Sequence, residues 1–528
     1  MTGATRSFDL RRSLALTAVR IVMLGCAVAS AQEVGSSDAG AAEAGTERAV
    51  EVSSGANPGA KPPSDAPPSS ATPMPRGREE TTARAKPTAA AAERPWRADE
   101  AIGVPSWLRF GLEHRSRFEH LENDFRTAAS GNSTALSLRT LLSAELKLSP
   151  VVVVAELQDS RAYATDVTPL STTIVDPLEI LQAHAGLRHK GAFLDGDSAA
   201  LTLGRFTMDV GSRRLVARNE FRNTINAFTG IDLQWTSPGR HVLRGFAVLP
   251  VIRLPSDPAE LANNPIELDH ENTDALFWGL FFGSAPLLAG AQLESYVFGL
   301  HEGDNADAPS ANRRLVTPGV RLWRAPAAGQ LDFQVEAMLQ LGTSRASTQA
   351  TDTTDLAHRA FSGHVTGGYR FDVAWSPRVA LQYDYASGDG DRIDRINGRF
   401  DPLFGARRFE FGPTGLYGAF ARSNISSPGL RVEVAPHRTV DAFAAYRLFW
   451  LASSRDAWTT AGLRDPAGAS GSFVGQQVEA RVRWNVFPKN LALEVGSAYV
   501  VRGEFATDAP NAKSSNPVFV YSQVTGTT

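Results

Sequence analysis

The side chains best equipped for chemistry in this sequence are arginines at alternate positions. Arg115 and Arg117 lie two residues apart, as do Arg481 and Arg483, while Arg139, Arg205, Arg321, Arg431 and Arg447 stand in stretches of the same character. A guanidinium is permanently charged and offers a planar fork of donors that fits a carboxylate, so such a set can hold anions. The same charges have a competing internal use. Glu113, Glu145, Glu156, Asp232, Asp332, Glu336, Asp384, Glu433, Asp441 and Glu479 occupy matching positions. Pairing with them stiffens a wall and recognises nothing. Any one arginine is expected to pair, and across the set some are expected to face a path.

A second group is compact. The stretch "GSRRLVARNEFRN" holds Arg213, Arg214, Arg218 and Arg222 beside Asn219 and Asn223. As a loop it either folds inward to grip or gate an anion or packs at a rim. "FDPLFG", with Asp401 and Phe404, lies in the longest join and carries the Pro and Gly of a fixed turn, which suits a lid. Asp389, Asp391 and Asp394 imitate a calcium loop, but Asp394 occupies the position that needs Gly and no Glu closes the set, so that motif is rejected. There is no HExxH, no phosphate-binding loop and no GxSxG elbow. Carboxylate pairs such as Glu113 and Glu119 arise freely in acidic strands and do not mark a glycosidase. No enzyme, cofactor or metal site is expected.

The elements that position these residues follow from period-two alternation. In "LDFQVEAMLQ", Leu331, Phe333, Val335, Ala337 and Leu339 share one face and Asp332, Gln334, Glu336 and Gln340 the other, with Met338 out of place. Such alternation is a strand with two different faces. "WLRFGLEHRSRFE", "ALSLRTLLSAELKL" and "GQQVEARVRWNV" repeat it, and continuing along the chain gives eighteen candidate strands, some alternating poorly, such as "ALFWGLFF" at 275–282. Short turns at 149–150, 237–240, 376–377 and 488–489 alternate with long polar joins such as 209–226, 252–274 and 389–426. A soluble sandwich has no reason to sort its loops this way. An up-and-down barrel in an outer membrane does, because periplasmic turns are short and outer loops long. The expectation is an all-β, transmembrane, antiparallel up-and-down β-barrel of about eighteen strands. Its lumen is then too wide for side chains to fill, with Leu331 toward lipid and Glu336 toward water.

Composition fits this and excludes other classes. The formal net charge is −3 over 528 residues, which gives no bulk signal for nucleic acid. Beyond the amino terminus no run of about 18 apolar residues occurs, so a helical membrane protein is excluded. Arg6, Arg11 and Arg12 precede "IVMLGCAVASA", and Ala29-Ser30-Ala31 offers a cleavage site, so residues 1–31 read as a signal peptide. The single cysteine, Cys26, lies within it, where "MLGC" leaves lipidation as an alternative. Residues 32–104 are rich in Pro, Ala, Gly and Ser and read as a disordered linker, a plain spacer or a contact to cell wall or periplasmic partners. Residues 105–528 form the barrel, whose expected partners are outer-membrane lipid and the barrel-assembly machinery of a Gram-negative cell.

Specific stretches carry a resemblance. "LGRFTMDVGSRRLVARNEFRNTINAFTGIDLQW" (203–235), "LQYDYASGDGD" (381–391) and "GRFDPLFG" (398–405) resemble the alginate-export family of outer-membrane barrels, over roughly residue 107 to the carboxyl terminus. The resemblance implies an eighteen-stranded barrel with an electropositive lumen that passes an anionic polysaccharide outward. A uronate polymer presents one carboxylate per sugar, which the inward arginines would meet. A passive porin for small anions or sugars, or a barrel that anchors a cell-wall tether, are the alternatives. One departure stands out: the last strand, "PVFVYSQVTGTT", has Phe519 and Tyr521 but ends in Thr528 rather than an aromatic.

Overall fold

The computed structural model describes residues 95–129, 131–304 and 309–528, so the signal-peptide and linker expectations lie outside the described residues. Eighteen strands form one closed antiparallel barrel. They are β1 (Leu108–Glu122), β2 (Ser133–Leu148), β3 (Val151–Ala164), β4 (Asp176–Lys190), β5 (Ser198–Phe206) and β6 (Phe228–Thr236). Then come β7 (Val242–Ile252), β8 (Ala275–Gly283), β9 (Gln292–Glu302), β10 (Arg314–Arg324), β11 (Gln330–Ser344) and β12 (Leu356–Arg370). The last are β13 (Arg378–Ala386), β14 (Ile425–His437), β15 (Val440–Trp450), β16 (Phe473–Phe487), β17 (Leu491–Arg502) and β18 (Val518–Thr527). Each pairs with its sequence neighbours, and β18 closes on β1 from Glu113↔Thr527 to Glu122↔Val518. Closure leaves no open edge, so the strands' backbone groups are paired as hydrocarbon requires. Thr528 joins the seam through its amide to the Leu112 carbonyl (2.9 Å).

The two faces sort as the alternation demands. On β11, Leu331, Val335, Leu339 and Leu341 are exposed, while Asp332, Glu336, Met338 and Gln340 are buried inside. The outward set forms the lipid belt, where an arginine at the midplane would cost roughly 2–4 kcal/mol. Trp107, Phe371, Trp375, Trp484 and Phe487 are exposed at the short-turn rim, and Tyr163 and Tyr499 toward the opposite rim. Such aromatic girdles mark membrane interfaces. The short turns, in turn, mark their rim as the periplasmic one.

The lumen differs from the water-filled bore expected of this strand count. Two outer loops, 207–227 and 387–424, fold into it and meet at a parallel bridge, Val216↔Phe404. There the Phe404 amide donates to the Leu215 carbonyl (3.0 Å) and the Ala406 amide to the Arg213 carbonyl (2.8 Å). Gly405 permits this approach, because a Cβ there would stand 1.8 Å from the Arg214 carbonyl oxygen. Around the bridge Met208, Val210, Leu215, Phe221, Phe400, Phe411, Tyr417 and Phe420 are buried in one apolar cluster with wall residues Phe246, Phe277, Phe298, Met338, Phe449 and Tyr521. Phe404 stands edge-on to Phe228 (5.1 Å) and tilted over Phe277 (4.9 Å), and Phe420 stacks on Phe449 (3.5 Å, 4°). A third outer loop contributes Trp458, which stacks on Phe125 and Phe420. The barrel therefore has an apolar core inside its wall. This explains why β8 alternates poorly: Leu276 and Leu280 face lipid, and Phe277 faces an interior that is equally apolar. It also explains Met338, which points inward with the polar phase of β11 and packs on the plug.

Candidate functional site

Charge in this lumen is organised by the two inserted loops. The backbone of loop 207–227 turns sharply through Gly211 (φ +54), Arg213 (φ +65) and Asn219 (φ +63), which aims its arginines at opposite walls. Arg214 reaches β11, donating to Glu336 Oε2 (2.5 Å) and Gln334 Oε1 (2.8 Å), and pairs on its other side with Glu410 of the second loop (2.8 Å). Glu336 also accepts from Tyr296 (2.6 Å) and Ser212 (2.9 Å). Glu410 accepts from Arg422 (2.9 Å), and its carbonyl takes a bond from Arg447 (3.0 Å). Arg447 continues to Asp384 (2.6 Å), which pairs with His364 (2.8 Å). Burial alone would raise Glu410, but Arg214 and Arg422 outweigh it and hold the carboxyl below the usual carboxylate range. Arg218 crosses to Glu156 (3.2 Å), Arg408 to Glu479 (2.6 Å), and Asp401 is held by Arg313 (2.8 Å). Glu336, expected to face water, is thus covered by the plug.

The arginines expected on the inner face are all inward, and every one of them is engaged by the wall or by an inserted loop, so the expectation that some stand free toward a path is not met by this set. Arg115 donates to the carbonyls of Glu220 (2.8 Å) and Arg222 (2.7 Å), and Arg139 to Glu113 (2.7 Å) and the Glu220 carbonyl (2.8 Å). Arg117 bonds Gln523 (2.8 Å) and lies over the Phe221 ring (4.0 Å). Arg205 pairs with Glu179 and Glu271 (both 2.8 Å), Arg321 with Glu294 (3.1 Å) and Arg431 with Glu433 (2.8 Å). Arg481 pairs with Asp441 and Arg483 with Glu494. Arg213 lies over the Phe409 ring (4.3 Å).

Two cavities flank the Glu220–Arg222 backbone. The periplasmic one, about 180 Å³, is lined by Arg115, Arg117, Arg139, Arg483 and Lys489 with Glu113, Glu220 and Glu494. The outer one, about 250 Å³, is lined by Arg222, Arg253, Arg407 and Arg422 together with Pro402 to Ala406. Its charge is poorly offset. Arg422 has Glu410, Arg253 donates to the Ile225 carbonyl (2.8 Å) and Asn226 Oδ1 (2.9 Å), and Arg222 and Arg407 have no carboxylate at ion-pair distance among the described residues. Burial, with Arg407 and Arg253 nearby, pushes Arg222 down to about 9, and burial with Arg126 pushes Arg407 down to about 10. Both remain cations at neutral pH. Sequence phase could not point to Arg253, Arg407, Arg422 or Lys489, because none lies on a strand; the only signal for Arg407 and Arg422 was their nearness to "FDPLFG".

Glu220 makes the passage sensitive to pH. Burial pushes its carboxyl up to about 7, with Glu113 and Asp209 adding to the rise and Arg218 and Arg139 opposing it. As pH falls through about 7 the group takes a proton, the lumen becomes more positive, and the reversal potential of the reconstituted protein is expected to move toward anion preference. Glu220→Gln should flatten that dependence. The folded-state value lies above the ordinary glutamate pKa of about 4.3, so the group's contribution to holding the loop is complete below about pH 4 and is lost as pH rises through about 7.

The geometry describes an eighteen-stranded barrel with a charged, loop-filled bore, and solved structures share the barrel fold. The outer membrane protein opdK from Pseudomonas aeruginosa superposes with a TM-score of 0.50 at 11% identity, over 79% of this chain and 98% of that one. OpdK solved with vanillate gives the same values. OccAB3 of Acinetobacter baumannii aligns at 0.48 and 10% identity, over 80% of this chain and 99% of its own. No curated protein matches the chain. The sequence model described as alginate export matches residues 106–520. The protein is an outer-membrane channel of a Gram-negative cell envelope, and by that match over most of its length the chain belongs to the alginate export family.

Proposed function

We propose that this channel conducts an anionic, alginate-like polysaccharide down its gradient, without an enzymatic step. The observation that carries the reading is the outer cavity, where four guanidinium groups gather and, among the described residues, only Arg422 has a carboxylate at ion-pair distance. A uronate chain would supply the missing charge one carboxylate at a time. Arg115, Arg117, Arg139, Arg481 and Arg483 would meet it at the periplasmic mouth, and Arg205, Arg321, Arg431 and Arg447 would set the potential of the wall. Opposite charges about 4 Å apart attract by about 1 kcal/mol in water and about 4 kcal/mol at an effective dielectric near 20.

Planar bilayers provide the test. Arg222→Glu with Arg407→Glu should lower anion preference and weaken block by an oligouronate about tenfold or more. The same reversal at Arg481 and Arg483 should do less, because Asp441 and Glu494 already offset them. Unchanged selectivity in the inserted Arg222/Arg407 variant would sink the reading. A second reading, a passive channel for small carboxylates, is favoured by the modest cavities (about 250 and 180 Å³) and by the OpdK complex with vanillate. Block that strengthens with oligouronate length supports the polymer, and block independent of length supports the small anion. Deleting residues 32–104 separates both from a cell-wall tether, since a conduit keeps its conductance without them.

A further inference from the structure

At the outer rim a group of carboxylates is drawn together with too little positive charge. Asp176 and Glu179 stand at the start of β4, and Asp269 on the long loop that joins β7 to β8. All three are buried, at 1%, 4% and 9% exposure, and one oxygen from each lies within 4.8 Å of the others. That spacing is what a single ion bonded at about 2.3–2.6 Å to each oxygen allows. The partners are unequally supplied. Glu179 Oε1 accepts from Arg205 (2.8 Å) and its Oε2 from the Asp269 amide (2.8 Å), while Asp269 Oδ1 accepts from the Leu254 amide (3.0 Å). Asp176 Oδ2 accepts from Gln158 (2.7 Å), but its Oδ1 is buried with no hydrogen-bond partner.

An unpartnered carboxylate oxygen in a closed site is costly unless a cation or a proton meets it. A cavity of about 10 Å³, room for one water-sized or ion-sized sphere, lies among Asp176, Glu179, Asp269, Arg205 and Arg253. Charge counting gives the ion's valence. Arg205 is shared with Glu271 (2.8 Å), and Arg253 Nη2 donates to the Ile225 carbonyl and Asn226 Oδ1 rather than to a carboxylate. Four carboxylates against two guanidinium groups leave about two negative charges, which one divalent ion cancels.

We propose that Asp176, Glu179 and Asp269 form a binding site for a hard divalent cation, calcium in the first place, that ties the 253–274 loop to the barrel wall. An all-oxygen set excludes soft metals as the preferred occupant, and a donor set assembled from a strand and a loop suits the irregular shell of calcium better than the strict octahedron of magnesium. The site does not depend on what the channel carries.

Detergent-purified protein, stripped with EDTA and desalted, is titrated with calcium chloride by calorimetry. One site per chain is expected, with a dissociation constant of about 0.1–1 mM, lost in Asp269→Asn and in Asp176→Asn and retained in Asp391→Asn, which alters the exposed acidic run of another loop. Heat-modifiable gel migration checks that each variant is folded. Hydrogen exchange on the wild-type chain adds a readout free of variants: calcium should slow exchange in peptides covering 253–274 and 176–180 and leave the 387–424 loop unchanged. Absence of calcium binding in wild type, binding that survives in folded Asp269→Asn, or protection confined to other segments would each overturn the assignment.

Discussion

Replacing Arg214 with alanine is expected to destabilise the inserted loops by about 3–5 kcal/mol, the cost of stripping one partner from a buried ion network. Arg214 joins Glu336 of the wall to Glu410 of the second loop and is 3% exposed, so no water replaces it. Glu410 would keep Arg422, whereas Glu336 would keep only the Tyr296 and Ser212 hydroxyls. The unfolding temperature on heat-modifiable gels should fall, and single-channel records should show openings absent from wild type as the loops loosen. Arg214→Lys should recover only part of the loss, because one ammonium cannot fork across two carboxylates. Adding Glu336→Gln to Arg214→Ala should recover stability by removing the uncompensated charge. A variant as stable as wild type would mean that apolar packing alone holds the plug.

The second large effect concerns conductance. Residues 402–418 carry Phe404, Phe411, Leu416 and Tyr417 into the middle of the bore. Replacing them with a short Gly-Ser link should raise single-channel conductance on the order of tenfold, because eighteen strands otherwise enclose an aqueous channel. Anion preference should fall in the same channel, since Arg407 leaves with the segment and Arg222 then faces bulk water. The excision also exposes Phe228 and Phe277 on the inner wall, so Phe277→Ser belongs in the same protein to keep the lumen wettable. Conductance unchanged in an inserted barrel would show that the passage runs elsewhere than past this loop.

Most strands were legible because one face meets lipid and the other meets charged and polar groups. "LDFQVEAMLQ" lies wholly within β11, and the sorted loop lengths gave closure. What fills the lumen was not legible, since loop contacts obey no period. Val216 and Phe404 meet through backbone atoms that any sequence possesses, and Asp269 comes to Glu179 from 90 residues away. Two clues were present and pointed nowhere without the fold: Met338 in a polar phase, and aromatic residues on both faces of β8. The arginines were placed on the correct face by alternation alone. Their use was not, because Arg115 and Arg139 spend their donors on carbonyls of a loop whose path only tertiary packing decides.

The seam between β1 and β18 shows what such a filling means for assembly. Its inner side carries Arg117 and Tyr521 against Phe221 of one loop, and Phe519 against Tyr417 of the other. The first and last strands therefore meet over side chains of both inserted loops. The inserted loops fill the closed cylinder as a mandrel fills a rolled tube, bearing on the first and last strands along the line where the wall shuts. Phe519 and Tyr521 of the final strand are turned inward to grip that mandrel.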